Sequence, residues 1–307
     1  MTDTLHLDEF QAYLLAEDRS PVTIAGYLGD VRLFAQWYEV HYRKVLTPDA
    51  LANEAVRGYK QHLLDQAAKP KTINRRLAAL AAYAHWLEQA EYVRNTRNPV
   101  QGVKAVKETV LAPKWLDKKQ RAALLRSVDK EVEDAVRRYP RLRLMYLRDA
   151  AIVKLILFTG LRVGEIIQLR MGDLVLDERK GNVIVREGKG TKRREIPLNS
   201  KARKAILDYL RVRPDVESES LLLGQRNEAI KSKTVQRSVI RFTEPIGLRD
   251  VTPHTLRHTF AKSLIDSGVS LEKVATLLGH SNLNTTRIYT TPGEKDLEDA
   301  VNKLEEF

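Results

Sequence analysis

Hydrophobic positions in the first ninety residues recur at helical spacing. Leu7, Phe10 and Leu14 mark one face of a helix predicted over residues 5–15, which ends before the Ser20-Pro21 break. A second helix carries Pro21 in its first turn and an apolar stripe of Ile24, Tyr27, Leu28, Val31, Phe34 and Ala35. A third is predicted to start near Thr47-Pro48 and to run by way of Val56 and Tyr59 to Leu63. A fourth, over residues 71–91, turns Ile73, Leu77, Leu80, Ala84 and Leu87 inward. Tyr13, Tyr27, Trp37, Tyr59, Tyr83 and Trp86 fall mostly on these faces, so residues 1–94 read as a small helical bundle with an aromatic core.

Residues 95–115 lack apolar periodicity and contain Pro99, Gly102 and Pro113, so they read as a linker. A second domain is expected over 116–292. It starts with a helix over 117–128 and a stretch dense in both charge signs, 129–143, expected as an exposed helical extension or loop. Residues 148–158 are then nearly continuously apolar and stop at Gly160, which predicts a buried helix, and a short helix follows TGLRVGEI. The segment NVIVREGKGTKRREIPL alternates at period two around Gly188 and Gly190 and predicts a β-hairpin or small sheet. Helices over 201–212 and 234–242 and a short strand over 221–224 complete the domain. The tail, 293–307, reads as a separate helix with an apolar stripe at Leu297, Ala300, Val301 and Leu304. The fold class expected is mainly α with a small β-sheet or hairpin in the second domain (α+β).

Charge adds a partner. The formal net charge is +12, and residues 1–112 hold 14 basic against 13 acidic side chains, so +11 lies on the remainder. A basic body of this kind suits an extended polyanion, of which double-stranded DNA is one. Between Asp65 and Glu88 there is no acidic side chain, whereas Lys69, Lys71, Thr72, Asn74, Arg75 and Arg76 gather at a helix N-terminus, a place that attracts phosphate. Lys192, Arg193 and Arg194 at the hairpin tip and Arg237 and Arg241 on a later helix are further candidate DNA contacts. The sequence contains no cysteine, which excludes disulfides, thiolate metal sites and cysteine nucleophiles. Its polar, acidic N-terminus and short apolar runs predict a soluble, cytoplasmic protein.

The candidate chemistry lies in HTLRHTFAKSLIDSGVSLEKVATLLGHSNLNTTRIY, which places His254, Arg257, His280 and Tyr289 on short helical segments broken at Gly268 and Gly279. These groups suit attack on a phosphodiester. Arginine bonds two phosphate oxygens and stays charged, and a phenol forms a phosphotyrosine bond that conserves the energy of the broken linkage. Histidine steers or accepts the phenol proton, and a lysine near the leaving oxygen donates one. A zinc site from His254, His258 and His280 is disfavoured because Arg257 stands between the first two and the glutamate of an HExxH helix is missing. His258 reads as a packed or hydrogen-bonded core residue. The glycines of GKG are too few and wrongly spaced for a phosphate-binding loop, and no carboxylate cluster resembles a two-metal nuclease site.

Together TGLRVGEI (Arg162), GKG (Lys189), HTLRH (His254, Arg257), LLGH (His280) and RIY (Tyr289) resemble the tyrosine recombinase family of site-specific recombinases and phage-type integrases. The six positions keep the family's order, and the bundle is similar to the family's core-binding domain. The resemblance implies a C-shaped clamp on DNA and a catalytic six of Arg162, Lys189, His254, Arg257, His280 and Tyr289. Tyr289 would form a 3′-phosphotyrosine intermediate, Lys189 would protonate the departing 5′ oxygen, and strands would exchange through a Holliday junction. Glu165 resembles a position that buttresses the site, and the resemblance implies that neither metal nor other cofactor is needed. The resemblance also implies a homo-tetramer on two DNA sites, with the tail helix lent to a neighbour. Beginning directly on the bundle, the chain is similar to the simple Xer and transposon-resolvase group, with integration, excision or resolution of a mobile element as the role. A type IB topoisomerase-like enzyme and a non-catalytic DNA-binding regulator are the alternatives.

Overall fold

A computed structural model describes residues 3–93, 98–108, 113–177, 179–186, 193–280 and 282–290. The chain divides into two compact units, Met1–Leu111 and Ala112–Phe307. The fold is mostly helical with one small antiparallel sheet, as the sequence predicts.

Four helices build the first unit: α1 (Leu7–Ala16), α2 (Pro21–Tyr42), α3 (Asn53–Asp65) and α4 (Pro70–Gln89). Ser20 caps α2 by accepting from the Thr23 backbone N–H at 3.1 Å, with Pro21 in the first turn where its missing donor costs nothing. The Thr47-Pro48 pair starts a short 3-10 turn, and α3 begins five residues later than expected, at Asn53. Phe10, Phe34, Tyr59, Leu80 and Tyr83 are each 2% exposed or less, and Phe34 meets Tyr59 edge-on at 5.1 Å. The stretch after Pro99 packs back on this unit: Asn53 donates to the carbonyls of Pro99 and Gln101, Lys60 to that of Lys104, and Asn74 to that of Val106.

The second unit is built around α6 (Arg143–Thr159), which is buried on nearly all sides through Ala150, Ile152, Val153, Leu155 and Ile156. Against it pack α5 (Lys118–Arg138), α8 (Ser200–Leu210), α9 (Ser232–Thr243) and α10 (Pro253–Asp266). A reciprocal capping box between Asp117 and Gln120 starts α5, which runs unbroken to Arg138 and absorbs most of the charged stretch expected as an extension or loop. Among the described residues three short helices complete the set: α7 (Val163–Gln168), α11 (Leu271–Leu278) and α12 (Asn284–Arg287). The sheet has three strands in the order β1 (Leu174–Leu176), β2 (Gly181–Val185), β3 (Arg194–Pro197), one more than a hairpin. Val183 pairs with Ile196 and Val185 with Arg194, so these four side chains share the buried face. Residues 221–224 form only an isolated bridge, Leu223 to Ala229. The expected tail helix, 293–307, lies outside the described residues. Among those described, no helix is long and apolar enough to cross a membrane.

Candidate active site

The buried helix α6 ends at Gly160 in the left-handed conformation (φ +66°), and a Cβ there would stand 2.4 Å from the Phe260 ring. Glycine is therefore required by both backbone and space. The turn delivers Arg162 to the start of α7, where its side chain is 31% exposed.

Glu165 organises the arginines around it. Its Oε1 accepts from Arg162 Nη1 (2.9 Å) and Arg194 Nη1 (3.0 Å), and its Oε2 from the Arg162 backbone N–H (2.8 Å) and Arg194 Nη2 (2.8 Å). Burial pushes this carboxyl upward, but the Arg194 hydrogen bonds, the Arg162 backbone N–H and the two guanidiniums outweigh it and hold the pKa below the usual glutamate value. Arg194 also donates from Nε to the Leu277 carbonyl at 2.9 Å. It thus ties β3 to α7 and to the end of α11. The expectation that Arg194 sits at an exposed hairpin tip is corrected: it is 8% exposed because its register opposite Val185 points it into the protein.

Arg257, on α10, is 4% exposed. Its Nη1 bonds the Gly160 carbonyl, and its Nη2 donates to the Leu278 carbonyl (2.8 Å) and approaches His280 Nε2 (3.0 Å). Burial, and then the nearby Arg162, lower its pKa to about 10, so it remains cationic at neutral pH. Helix α11 ends at Gly279 (φ +64°), where a Cβ would lie 2.6 Å from Arg194 Nη1. That turn lets His280 donate its backbone N–H to the Ala275 carbonyl (3.0 Å) and brings its ring to Arg257. Arg162 Nη2 donates to the Gly279 carbonyl at 3.2 Å. Burial and the arginines lower the His280 pKa to about 4, which keeps the ring neutral. With Nε2 accepting from Arg257, the Nδ1–H is left to donate to Thr286 Oγ1 at 2.8 Å.

His254 lies exposed in the first turn of α10 and His258 one turn later on the same face. His258 Nδ1 is 2.7 Å from Tyr289 Oη. Tyr289 is 1% exposed and packs with Phe260, Ala261, Val274 and Leu278. Burial raises its phenol pKa, although Arg257 and Arg162 pull the other way. The structure therefore gathers Arg162, His254, Arg257, His280 and Tyr289 where the turns after α6 and α11 meet α10. Lys189 and Lys192 lie outside the described residues.

The remaining candidates separate. Lys69 and Lys71 are exposed and Thr72 half-buried at the start of α4. Asn74 is occupied with Val106 and Glu108, Arg75 pairs with Asp30, and Arg76 donates to Tyr59 Oη (2.9 Å) near the same Asp30. Asp30 is 2% exposed, so these two arginines serve its charge. Arg193 and Arg237 are exposed. Arg241 instead bonds Asp149 (2.9 Å) and covers the Tyr146 ring, an intramolecular duty that sequence reading did not detect.

A mostly helical catalytic unit carrying two inward arginines, two neutral histidines and a sheltered tyrosine defines a class of phosphodiester-handling proteins without a carboxylate-metal cluster among the described residues. The Phage integrase family model matches residues 114–295, and that of the Phage integrase, N-terminal SAM-like domain, matches residues 7–91. The chain is 30% identical over 300 residues to the tyrosine recombinase XerC of Corynebacterium glutamicum, covering 97% of this chain and 90% of that one. It is also 30% identical over 302 residues to the TnP I resolvase of Bacillus thuringiensis, covering 97% and 98%. A crystal structure of the XerH site-specific recombinase bound to palindromic difH substrate, in a post-cleavage complex, superposes with TM-score 0.72 at 22% identity, covering 94% of this chain and 82% of that one. The chain belongs to the phage integrase family and is a tyrosine recombinase, an enzyme of site-specific DNA cleavage and rejoining.

Proposed function

We propose that the protein binds duplex DNA and exchanges strands at specific sites through a 3′-phosphotyrosine intermediate. Arg162 and Arg257 hold the nonbridging oxygens of the scissile phosphate, as fixed cations must where negative charge grows. His254 and His280 bond the same phosphate. Tyr289 Oη attacks phosphorus, and the 5′ oxygen leaves with a proton from Lys189. A 5′ hydroxyl of the partner strand then attacks the phosphotyrosine, and a second exchange resolves the Holliday junction. Four subunits act on two sites, joined through the 293–307 tail, whose stripe of Leu297, Ala300, Val301 and Leu304 needs an apolar partner. Lys69, Lys71, Arg193 and Arg237, all exposed, and the half-buried Thr72 are the candidates for backbone contacts. The likeness to a resolvase along nearly the whole chain supports resolution or integration of a mobile element as the role.

The observation that carries this reading is the meeting of Arg162, Arg257 and His280 at the Gly160 and Gly279 turns, with the Tyr289 hydroxyl on the His254 face of α10. The test is a nicked suicide substrate carrying the target site. Wild-type protein is expected to accumulate a covalent protein–DNA adduct, and Tyr289→Phe to bind with equal affinity and form none. An adduct that persists in Tyr289→Phe removes this tyrosine as nucleophile.

A further inference from the structure

We propose that His258 is a catalytic residue that accepts the proton of the Tyr289 hydroxyl during cleavage. The inference rests on Tyr289 being the nucleophile. An attacking phenol must lose its proton as the new bond forms, and an acceptor has to lie within hydrogen-bond reach. Tyr289 is 1% exposed, so bulk water is shut out, and a protein group must take that part. His258 Nδ1, at 2.7 Å, is in hydrogen-bond contact with Oη.

The neighbouring histidine is not free to substitute. His280 Nε2 faces Arg257 Nη2 at 3.0 Å, and because a guanidinium only donates, this nitrogen accepts. Its Nδ1 faces Thr286 Oγ1 at 2.8 Å, so in the free protein neither ring nitrogen turns to the Tyr289 hydroxyl, and the part left to His280 is on the phosphate. His258 is neutral in the free protein, its pKa lowered to about 4 by burial and then by His254 and Arg257. With hydrogen on Nε2, its Nδ1 lone pair receives the phenol O–H. The groups facing His258 are Tyr289 from beyond α12 and His254 and Arg257 from α10 itself. A scissile phosphate bound at Arg257 brings negative charge to this face and raises the basicity of the ring when it is needed.

The step balances as follows. The Oη–P bond forms as the Oη–H bond breaks and its proton moves to Nδ1, giving an imidazolium. The P–O5′ bond breaks, and the leaving oxygen takes a proton from the general acid. Religation reverses both transfers, with the His258 imidazolium returning the proton to the departing phenolate.

The test compares His258→Asn and His258→Phe with wild type in single-turnover cleavage of the suicide substrate, beside DNA affinity and thermal melting. Asparagine keeps a hydrogen-bond acceptor near the Nδ1 position but cannot take up a proton, so it carries the test if the phenylalanine variant folds poorly. Both variants are expected to cleave about 100-fold more slowly at neutral pH, within the usual contribution of a general base, with DNA affinity held within about twofold. Their rates are expected to climb steadily as pH rises toward the phenol pKa, where hydroxide replaces the missing base, whereas the wild-type rate levels off. Cleavage by His258→Asn within about threefold of wild type, or a defect that stays constant across pH, overturns the proposal. Wild-type adduct formation with none in Tyr289→Phe keeps the nucleophile assignment intact in either case. An adduct in Tyr289→Phe fails that assignment separately.

Discussion

Replacing Arg194 with methionine removes both of its bonds to Glu165 and its bond to the Leu277 carbonyl while keeping most of the side chain's apolar volume. The side chains of Arg194 and Glu165 are 7% and 9% exposed, so the glutamate charge is left in a nearly dry place. Breaking a buried pair by deleting one partner costs about 3–5 kcal/mol. Arg162 continues to bond the same carboxylate from a 31% exposed position, which puts the expected loss near the lower bound, about 3 kcal/mol. For a unit of this size, that lowers Tm by about 6–12 °C. Adding Glu165→Gln removes the stranded charge, so the double variant should lose less than the two single variants combined, by at least about 1 kcal/mol. Urea unfolding of the four proteins, monitored by circular dichroism, measures the cycle. A loss under about 1 kcal/mol in Arg194→Met, or additivity of the pair within about 0.5 kcal/mol, would refute the account of Glu165 as the hub.

Gly279→Ala forces a Cβ into the left-handed region and against Arg194, so it should destabilise by more than about 1 kcal/mol and slow cleavage, whereas Gly247→Ala, with open space around its Cβ, should show only the backbone cost. His258 and His280 titrate at about 4 in the fold, against about 6.5 in an unfolded chain, so protonation favours unfolding. Stability should be level above about pH 6.5 and fall as pH drops from there toward about 4. Denaturation midpoints across that range should slope less in His258→Asn; an equal slope would remove His258 from the explanation. Binding to the target duplex should weaken by about a hundredfold or more between 50 and 200 mM salt if the four exposed cations Lys69, Lys71, Arg193 and Arg237 each track a phosphate, and a flat titration would contradict backbone binding.

Much of this was legible in the chain because the period of apolar residues reports which face is buried. The stripe from Ile24 to Ala35 and the one from Ile73 to Leu87 both mark real helices, α2 and α4. Boundaries slipped where local and tertiary signals diverge. Thr47-Pro48 is a good helix start by chemistry, yet the chain there makes only a 3-10 turn. The burial of Arg194 was present in the sequence, since Arg194, Ile196 and Leu198 share one parity along the strand, but basic neighbours at 192 and 193 concealed it. The intramolecular bonds of Arg241 and Asn74 were hidden for a different reason. Their partners, Asp149 and Val106, lie 92 and 32 residues away, and no local pattern announces a long-range ion pair or strap. His258 was visible only as an i, i+4 companion of His254, and its approach to Tyr289 across 31 residues needed the fold.

The central claim is that the Tyr289 oxygen becomes joined to DNA. The most direct measurement is mass spectrometry of the proteolysed adduct trapped on a nicked suicide substrate. The account predicts one modified peptide, carrying a nucleotide through its 3′ phosphate on Tyr289. A nucleotide on any other side chain, or one attached through a 5′ phosphate, would contradict it.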